Sequence, residues 1–360
     1  MLAGIKISAL PNTHISIFHG SGQPLELRSL PRPAPDVGEI LLTAECITLC
    51  RSDLSTFSGK RKEAIPTILG HEGVGRIEAF GKHISRSDLN GVPLQIGDRV
   101  TWSIFAADPA GEWAQRGIPQ KQPGCCKYGH RQLTDTDGFH GGLAQHILLR
   151  PHTGLIKLEE DIPPEVGSLI NCAGATAAAA IRLAGSIAGK VVWVSGLGTL
   201  GLVAICMAKE AGAKQVLGLD ISSTRREKAL EFGAEQTHDP QEMDSLTPPD
   251  LVIECSGAPS AMEQTLTRLN IGGTAIWIGA VHPQRPLHID AEQVLRRLLH
   301  IHGQHNYNLE DFRKAADFIT RFHQKYPFAS LIQETFSLKQ VNDAFAFALE
   351  SNAYRIAVKP

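Results

Sequence analysis

Net charge is scarce in this chain. Thirty-five Lys and Arg stand against 37 Asp and Glu, a formal −2 at pH 7. A nucleic acid or an anionic membrane therefore finds no electrostatic footprint here. Cysteine is equally sparse, with seven residues scattered over positions 46, 50, 125, 126, 172, 206 and 255. An odd, dispersed set in a long chain excludes a disulfide framework. It predicts reduced thiols in the cytoplasm, some of them metal ligands. Long apolar runs are missing too: "AGATAAAAI" at 173–181 falls well short of the roughly 20 residues that span a bilayer. The opening "MLAGIKISALPNTHISIF" lacks a continuous apolar core of signal-peptide type. No internal repeat or low-complexity tract appears.

What is present is ordinary globular material. At 360 residues and 42% hydrophobic, the chain is long enough to bury two cores. Its texture changes once. Residues 1–150 mix short β-like runs ("HISIF", "GEILLTAECI", "GVGRIEAFG", "GDRVTW", "LAQHILL") with many Gly and Pro turns, which reads as an antiparallel meander. After "NCAGATAAAAIRLAG" strands alternate with helices: "KVVWVSG", "TLGLVAICMAKEAG", "KQVLGLD", "SSTRREKALEFG", "PDLVIECSG". That alternation implies a parallel, doubly wound sheet, so the fold class is α/β with a β-rich first domain. The last fifty residues hold two helical patterns and a strand-like "YRIAVKP".

The most specific local signal is "VSGLGTLG". Gly196, Gly198 and Gly201 form G-x-G-x-x-G between a strand and a helix, with Thr199 and Leu200 inside the motif. The first glycine allows a tight turn, and the second lets backbone approach a pyrophosphate. The third lets the helix lie close to the strand, aiming its opening amides at the phosphates. The next strand ends in Asp220, nineteen residues past Gly201, where a carboxylate accepts both ribose hydroxyls. A 2′-phosphate would meet like charge there, which favours NAD over NADP; Arg225 could flank the same ribose. The plain alternative is a glycine-rich turn followed by a surface aspartate.

A second signal is dispersed. "ITLCRSDL" places Cys50 in polar company, and "ILGHEGVG" sets His71 between glycines twenty-one residues later. A thiolate, an imidazole and a further thiolate make the three-ligand zinc site with an open fourth position. Taken singly, each has a dull reading as a small buried thiol or a satisfied histidine.

Together, "CRSD", "GHEGVG" and "GLGTLG", in this order, resemble the zinc-dependent medium-chain alcohol dehydrogenases from about residue 25 to the end. The resemblance implies a GroES-like catalytic domain over 1–172, a Rossmann domain over 173–304, and a return segment, 305–360, that completes the first domain. It implies Cys50, His71 and Cys172 as zinc ligands, with Glu72 an occasional fourth. Asp53 would hold His71, and Ser52 the substrate hydroxyl. Arg51 and Arg355 would face the cofactor pyrophosphate, while Thr176 and the stretch from Gly279 to Val281 would bind near the nicotinamide.

Departures from the family pattern matter as much. Many relatives place a His three residues after the relay serine; here that position is Ser55. Where relatives carry four cysteines for a structural zinc, this chain has Asp108, Gly111, Ala114 and Gln122. One catalytic zinc and no structural zinc are therefore expected. Lys60, Arg61 and Lys62 form a cationic run, and Arg61 falls where relatives often carry an apolar pocket residue. With Tyr128, His130 and His305, this resembles a bacterial subset associated with phosphonate catabolism. The implied substrate is a small alcohol or carbonyl, its anionic group (phosphonate or carboxylate) held by Arg61; the alternative is a solvated turn. Two competing functions remain: a zinc-free quinone or enone reductase, and a regulatory nucleotide-binding protein on the same fold. The family implies a homodimer, with a tetramer second.

Overall fold

The computed structural model describes residues 12–135 and 137–360. The first eleven residues, most of the stretch read above for a leader, lie outside the described set. Among the described residues of the early part of the chain the apolar alternation forms eight strands. They are β1 (Asn12–Ile17), β2 (Glu26–Pro31), β3 (Ile40–Thr48), β4 (Glu72–Phe80), β5 (Arg99–Ala106), β6 (Cys126–Lys127), β7 (His146–Leu149) and β8 (Thr153–Lys157). Two short helices interrupt the described strands, α1 (Arg51–Phe57) and α2 (Glu112–Gln115), and α3 (Pro164–Gly167) follows them. β3 and β4 pair antiparallel from Ile40 opposite Phe80 to Thr48 opposite Glu72. That register sets up the chemistry, because it brings the chain leaving β3, with Cys50, beside the chain entering β4, with His71.

The regular second half carries β9 (Val191–Ser195), β10 (Gln215–Leu219), β11 (Gln236–His238), β12 (Leu251–Glu254), β13 (Thr274–Trp277) and β14 (His300–Gly303). All are parallel, in the spatial order β11-β10-β9-β12-β13-β14. This is the doubly wound order with a switch point between β9 and β12. β9 is buried throughout as Val-Val-Trp-Val-Ser, as a parallel strand covered on both faces must be. The accompanying helices are α4 (Ala175–Ala184), α5 (Thr199–Glu210), α6 (Ser223–Glu231), α7 (Pro259–Arg268), α8 (Ala291–Arg296) and α9 (Leu309–Phe322). The chain then returns through β15 (Ile332–Ser337), α10 (Val341–Ser351) and β16 (Arg355–Lys359), and β16 pairs with β3.

Two units result: the chain through Ser168 together with Ile332–Pro360, and Leu169–Leu331. The return point therefore lies at residue 332 rather than 305, and the first boundary at 168 rather than 172. The reason is packing: α9 buries Phe312, Ala315, Ala316 and Ile319 within the second unit. It is also pinned there by Asp311, which accepts from Arg182 Nε and Nη2 at 2.7 and 2.9 Å. α10 belongs to the first unit's core through Val341, Ala344, Phe345 and Ala348, spaced to share one helix face. Among the described residues one helical run, Pro164–Ala184, is long and apolar enough to cross a membrane by length and composition; 78% of its apolar window is buried, as in a core helix.

Candidate metal centre and nucleotide crevice

Asp53 organises the metal centre. It is wholly buried in α1, and its carboxylate touches three residues from two segments at once. Oδ2 accepts from the Cys50 amide at 2.9 Å, and Oδ1 accepts from the Gly70 amide at 3.2 Å. Oδ1 also lies 3.2 Å from His71 Nδ1. The proton is thereby held on Nδ1, leaving Nε2 as the ligand atom. Burial pushes the Asp53 carboxyl up, but the adjacent His71 outweighs it and the group falls below the usual carboxylate range. Burial likewise opposes the charged form of His71, yet Asp53 and then Cys50 hold its pKa well above the ordinary value.

Cys50, His71, Glu72 and Cys172 each offer one ligand atom, all within 4.8 Å of one another. Two thiols, an imidazole and a carboxylate in so small a volume are the donor set of a zinc site, so these residues fit the ion that the sequence implied. Cys172 sits in a π-helical turn, Ile170–Gly174, a local geometry frequent at functional sites. Glu72 is gripped from behind. Arg355 Nε and Nη2 donate to its two oxygens at 2.7 and 2.8 Å, and the Thr48 hydroxyl donates at 2.9 Å. Burial raises the Glu72 carboxyl to about 7, against the pull of Arg355. Arg355 Nη2 also reaches the Cys50 sulfur at 3.8 Å. The arginine expected at the cofactor thus braces the metal centre. Ser52 Oγ is 3.3 Å from His71 Nε2, beside the ligand atoms. Arg51, the first residue of α1, is exposed.

Next to His71 lies a network only half anticipated. The His130 ring stands 4.9 Å from the His71 ring, centroid to centroid. His130 Nδ1 is 3.1 Å from Glu63 Oε1, the oxygen that Arg61 Nη2 approaches at 2.7 Å. Glu63 was not anticipated, because nothing in "KRKEA" marks a surface-looking Glu as half-buried. Tyr128 does not join the group. It is buried in the core, its hydroxyl 2.6 Å from Thr153 Oγ1 and accepting from the Arg150 amide at 2.8 Å. His305 is exposed in the second unit.

In the second unit the glycines do what their spacing asks. Gly196 has φ +88°, a conformation that disfavours any side chain. A Cβ on Gly201 would lie 2.0 Å from Gly196 O. A Cβ on Gly198 would meet only Arg225 Nη1, at 3.8 Å, so open space remains over this glycine for a phosphate. Thr199 is buried at the start of α5, with Leu200 half-buried beside it. Asp220 lies at the carboxyl end of β10, its carboxylate accepting from the Leu197 amide at 2.8 Å and the Ser222 amide at 2.9 Å. Unused lone pairs remain there for ribose hydroxyls. Arg226, also missed from sequence, donates to Asp220 O at 2.7 Å. Thr176 is buried in α4, Gly279 follows β13, and Val281 is exposed.

The loop without cysteines is held by an amide. Gln122 Oε1 accepts from the Trp113 and Ala114 amides at 3.0 and 3.4 Å, and Gln115 Nε2 donates to Pro109 O at 2.7 Å. A Cβ on Gly111 would fall 2.4 Å from the Gln122 side-chain amide, so a larger residue there would displace that amide from its present position.

Residues 36–160 match the alcohol dehydrogenase GroES-like domain, and residues 199–321 match the zinc-binding dehydrogenase domain. Human sorbitol dehydrogenase is 30% identical over 295 residues, 76% of each chain. The acryloyl-coenzyme A reductase of Sulfurisphaera tokodaii is 27% identical over 96% of this chain and 99% of its own. The crystal structure of an alcohol dehydrogenase from Thermotoga maritima superposes with a TM-score of 0.90 at 26% identity, covering 97% of this chain and all of that one. The chain belongs to the zinc-dependent medium-chain alcohol dehydrogenase family, with a GroES-like domain and a Rossmann domain. Within it, the chain falls among the oxidoreductases of alcohols and polyols.

Proposed function

We propose that this protein interconverts a small alcohol and its aldehyde or ketone, using one zinc ion and NAD. The cluster of Cys50, His71, Glu72 and Cys172, backed by the buried Asp53, carries this reading. Bound there, zinc supplies Lewis-acid polarisation of the substrate oxygen, while the dinucleotide accepts or returns the hydride. Asp53 keeps the His71 proton on Nδ1 and so fixes the ring for ligation. Ser52, beside Nε2, is placed to hold the substrate hydroxyl and take its proton first. Ser55, three residues on, is buried in α1, so the proton leaves by a route without the family's usual histidine. Asp220 accepts ribose hydroxyls and repels a 2′-phosphate, which supports NAD over NADP. A KM for NADP at or below that for NAD, unchanged in Asp220→Ala, would remove that preference. The reaction itself is tested by absorbance at 340 nm when NAD and a panel of alcohols are offered.

An alcohol bearing a phosphonate or carboxylate is the narrower form of this reading. Arg61 supports it, although its guanidinium is already shared with Glu63, so an incoming anion must compete with that carboxylate. Equal kcat/KM on a neutral alcohol and its phosphonate analogue, unaltered by Arg61→Ala, would discard the anion site. A second reading, reduction of an activated carbon–carbon double bond, is favoured by the near-full-length likeness to the acryloyl-coenzyme A reductase. A reductase of that kind has no need of four converging metal ligands. NADH oxidation by an enone in metal-free protein, without alcohol turnover in loaded protein, would favour it. A homodimer through the exposed β14 edge is our reading of assembly, supported by exposed Ile271, Leu295 and Leu298, and sedimentation tests it. Seven free cysteines fit a reducing compartment such as the cytoplasm.

A further inference from the structure

Glu254 is a buried carboxylate that the reaction above does not use. It ends β12, next to the switch point of the parallel sheet, after the buried apolar Leu251, Val252 and Ile253. It has no measurable exposure. Its partners are neutral donors from the turn that follows. The Ser256 amide donates at 2.9 Å, the Gly257 amide lies 3.2 and 3.0 Å from the two oxygens, and the Ser256 hydroxyl donates as well. Burial raises the carboxyl above its ordinary value. A glutamate left in such a place, with no cation among these contacts, is costly unless the turn it holds matters.

What that turn touches gives the reason. A Cβ on Gly196, the first glycine of the phosphate loop, would lie 2.5 Å from the Ser256 nitrogen and 2.7 Å from its Cα. A Cβ on Gly257, which has φ +69°, would lie 2.5 Å from Gly279 O; one on Gly279 would lie 2.4 Å from the Gly257 nitrogen. The loops after β9, β12 and β13 therefore stack backbone on backbone, with no side chain between them to absorb a shift. Ligands of doubly wound sheets bind outside these carboxyl ends.

We propose that Glu254 is a positioning residue for the dinucleotide: by fixing the 255–257 turn it sets the height of both the Gly196 loop and Gly279. This rests on the nucleotide reading above. Glu254→Gln keeps the volume but turns one acceptor oxygen into an NH2 group facing backbone donors. Ser256→Ala removes only the hydroxyl donor and leaves both amide contacts. Trp193 in β9 and Trp277 in β13 provide an intrinsic fluorescence signal for titration with NADH and with ADP-ribose. For Glu254→Gln both dissociation constants are expected to rise about tenfold, with alcohol KM at saturating NAD within about twofold of wild type. Ser256→Ala is expected to raise both constants roughly threefold, and it decides the matter if Glu254→Gln fails to fold. A folded Glu254→Gln, or a Ser256→Ala, that binds NADH and ADP-ribose as wild type overturns the proposal while the nucleotide reading stands. A wild-type chain that binds neither probe overturns both.

Discussion

Two loops of the same β-rich unit solve opposite problems. Around His71, ionisable groups are packed where water cannot reach: Asp53 and Glu72 have no exposure and His71 has 2%. Between Asp108 and Cys126 the backbone is gathered by the neutral amide of Gln122. Burying charge is expensive, so the first arrangement has to match each carboxylate, Asp53 with His71 and Glu72 with Arg355. The second asks for nothing more than hydrogen bonds. Buried charge gathers around His71, while uncharged hydrogen bonds hold the other loop.

That contrast breaks most visibly at the ligands. Cys50→Ala or His71→Ala should reduce kcat/KM for alcohol oxidation on the order of 10³-fold, since several kcal/mol of transition-state stabilisation goes with the ion. Steady-state kinetics with zinc added back checks this. Asp53→Asn comes next. It keeps the size of the side chain but removes the charge that holds His71, and zinc affinity should fall ten- to a hundredfold in competition with a chelator. An unchanged affinity would reduce Asp53 to a helix cap. The smallest effect belongs to the other loop. Gln122→Ala strips an acceptor from two backbone amides and should cost about 1 kcal/mol, lowering the melting temperature by roughly 2–4 °C. Zinc affinity should not move; a parallel loss would show the two loops to be coupled.

The parts legible in sequence were those where geometry demands a particular residue. Gly196 needs a positive φ and Gly201 needs the absence of a Cβ, so their spacing announces the turn before any coordinates. Cys50 and His71 are made neighbours by the β3–β4 register, and a family resemblance stood in for that knowledge. The hidden parts depend on contacts across long stretches of sequence. Nothing local to Glu63 reveals that it bridges Arg61 and His130, and Gln122 looks like any polar loop residue. The resemblance puts Arg355 near the pyrophosphate; what the sequence does not show is that β16, by pairing with β3, also delivers it to Glu72. The return point was misplaced for a similar reason. The helical pattern of α9 is plain, but only the packing of Phe312 and Ile319 shows which unit owns it.

Zinc content per chain, measured on wild type and on Cys50→Ala and Cys172→Ser after chelation and repletion, bears most directly on the cluster. The expected result is about one zinc in wild type and a loss of most of it in either variant. Wild-type protein that takes up no zinc, or variants that hold as much as wild type, would contradict a metal site built from these four side chains.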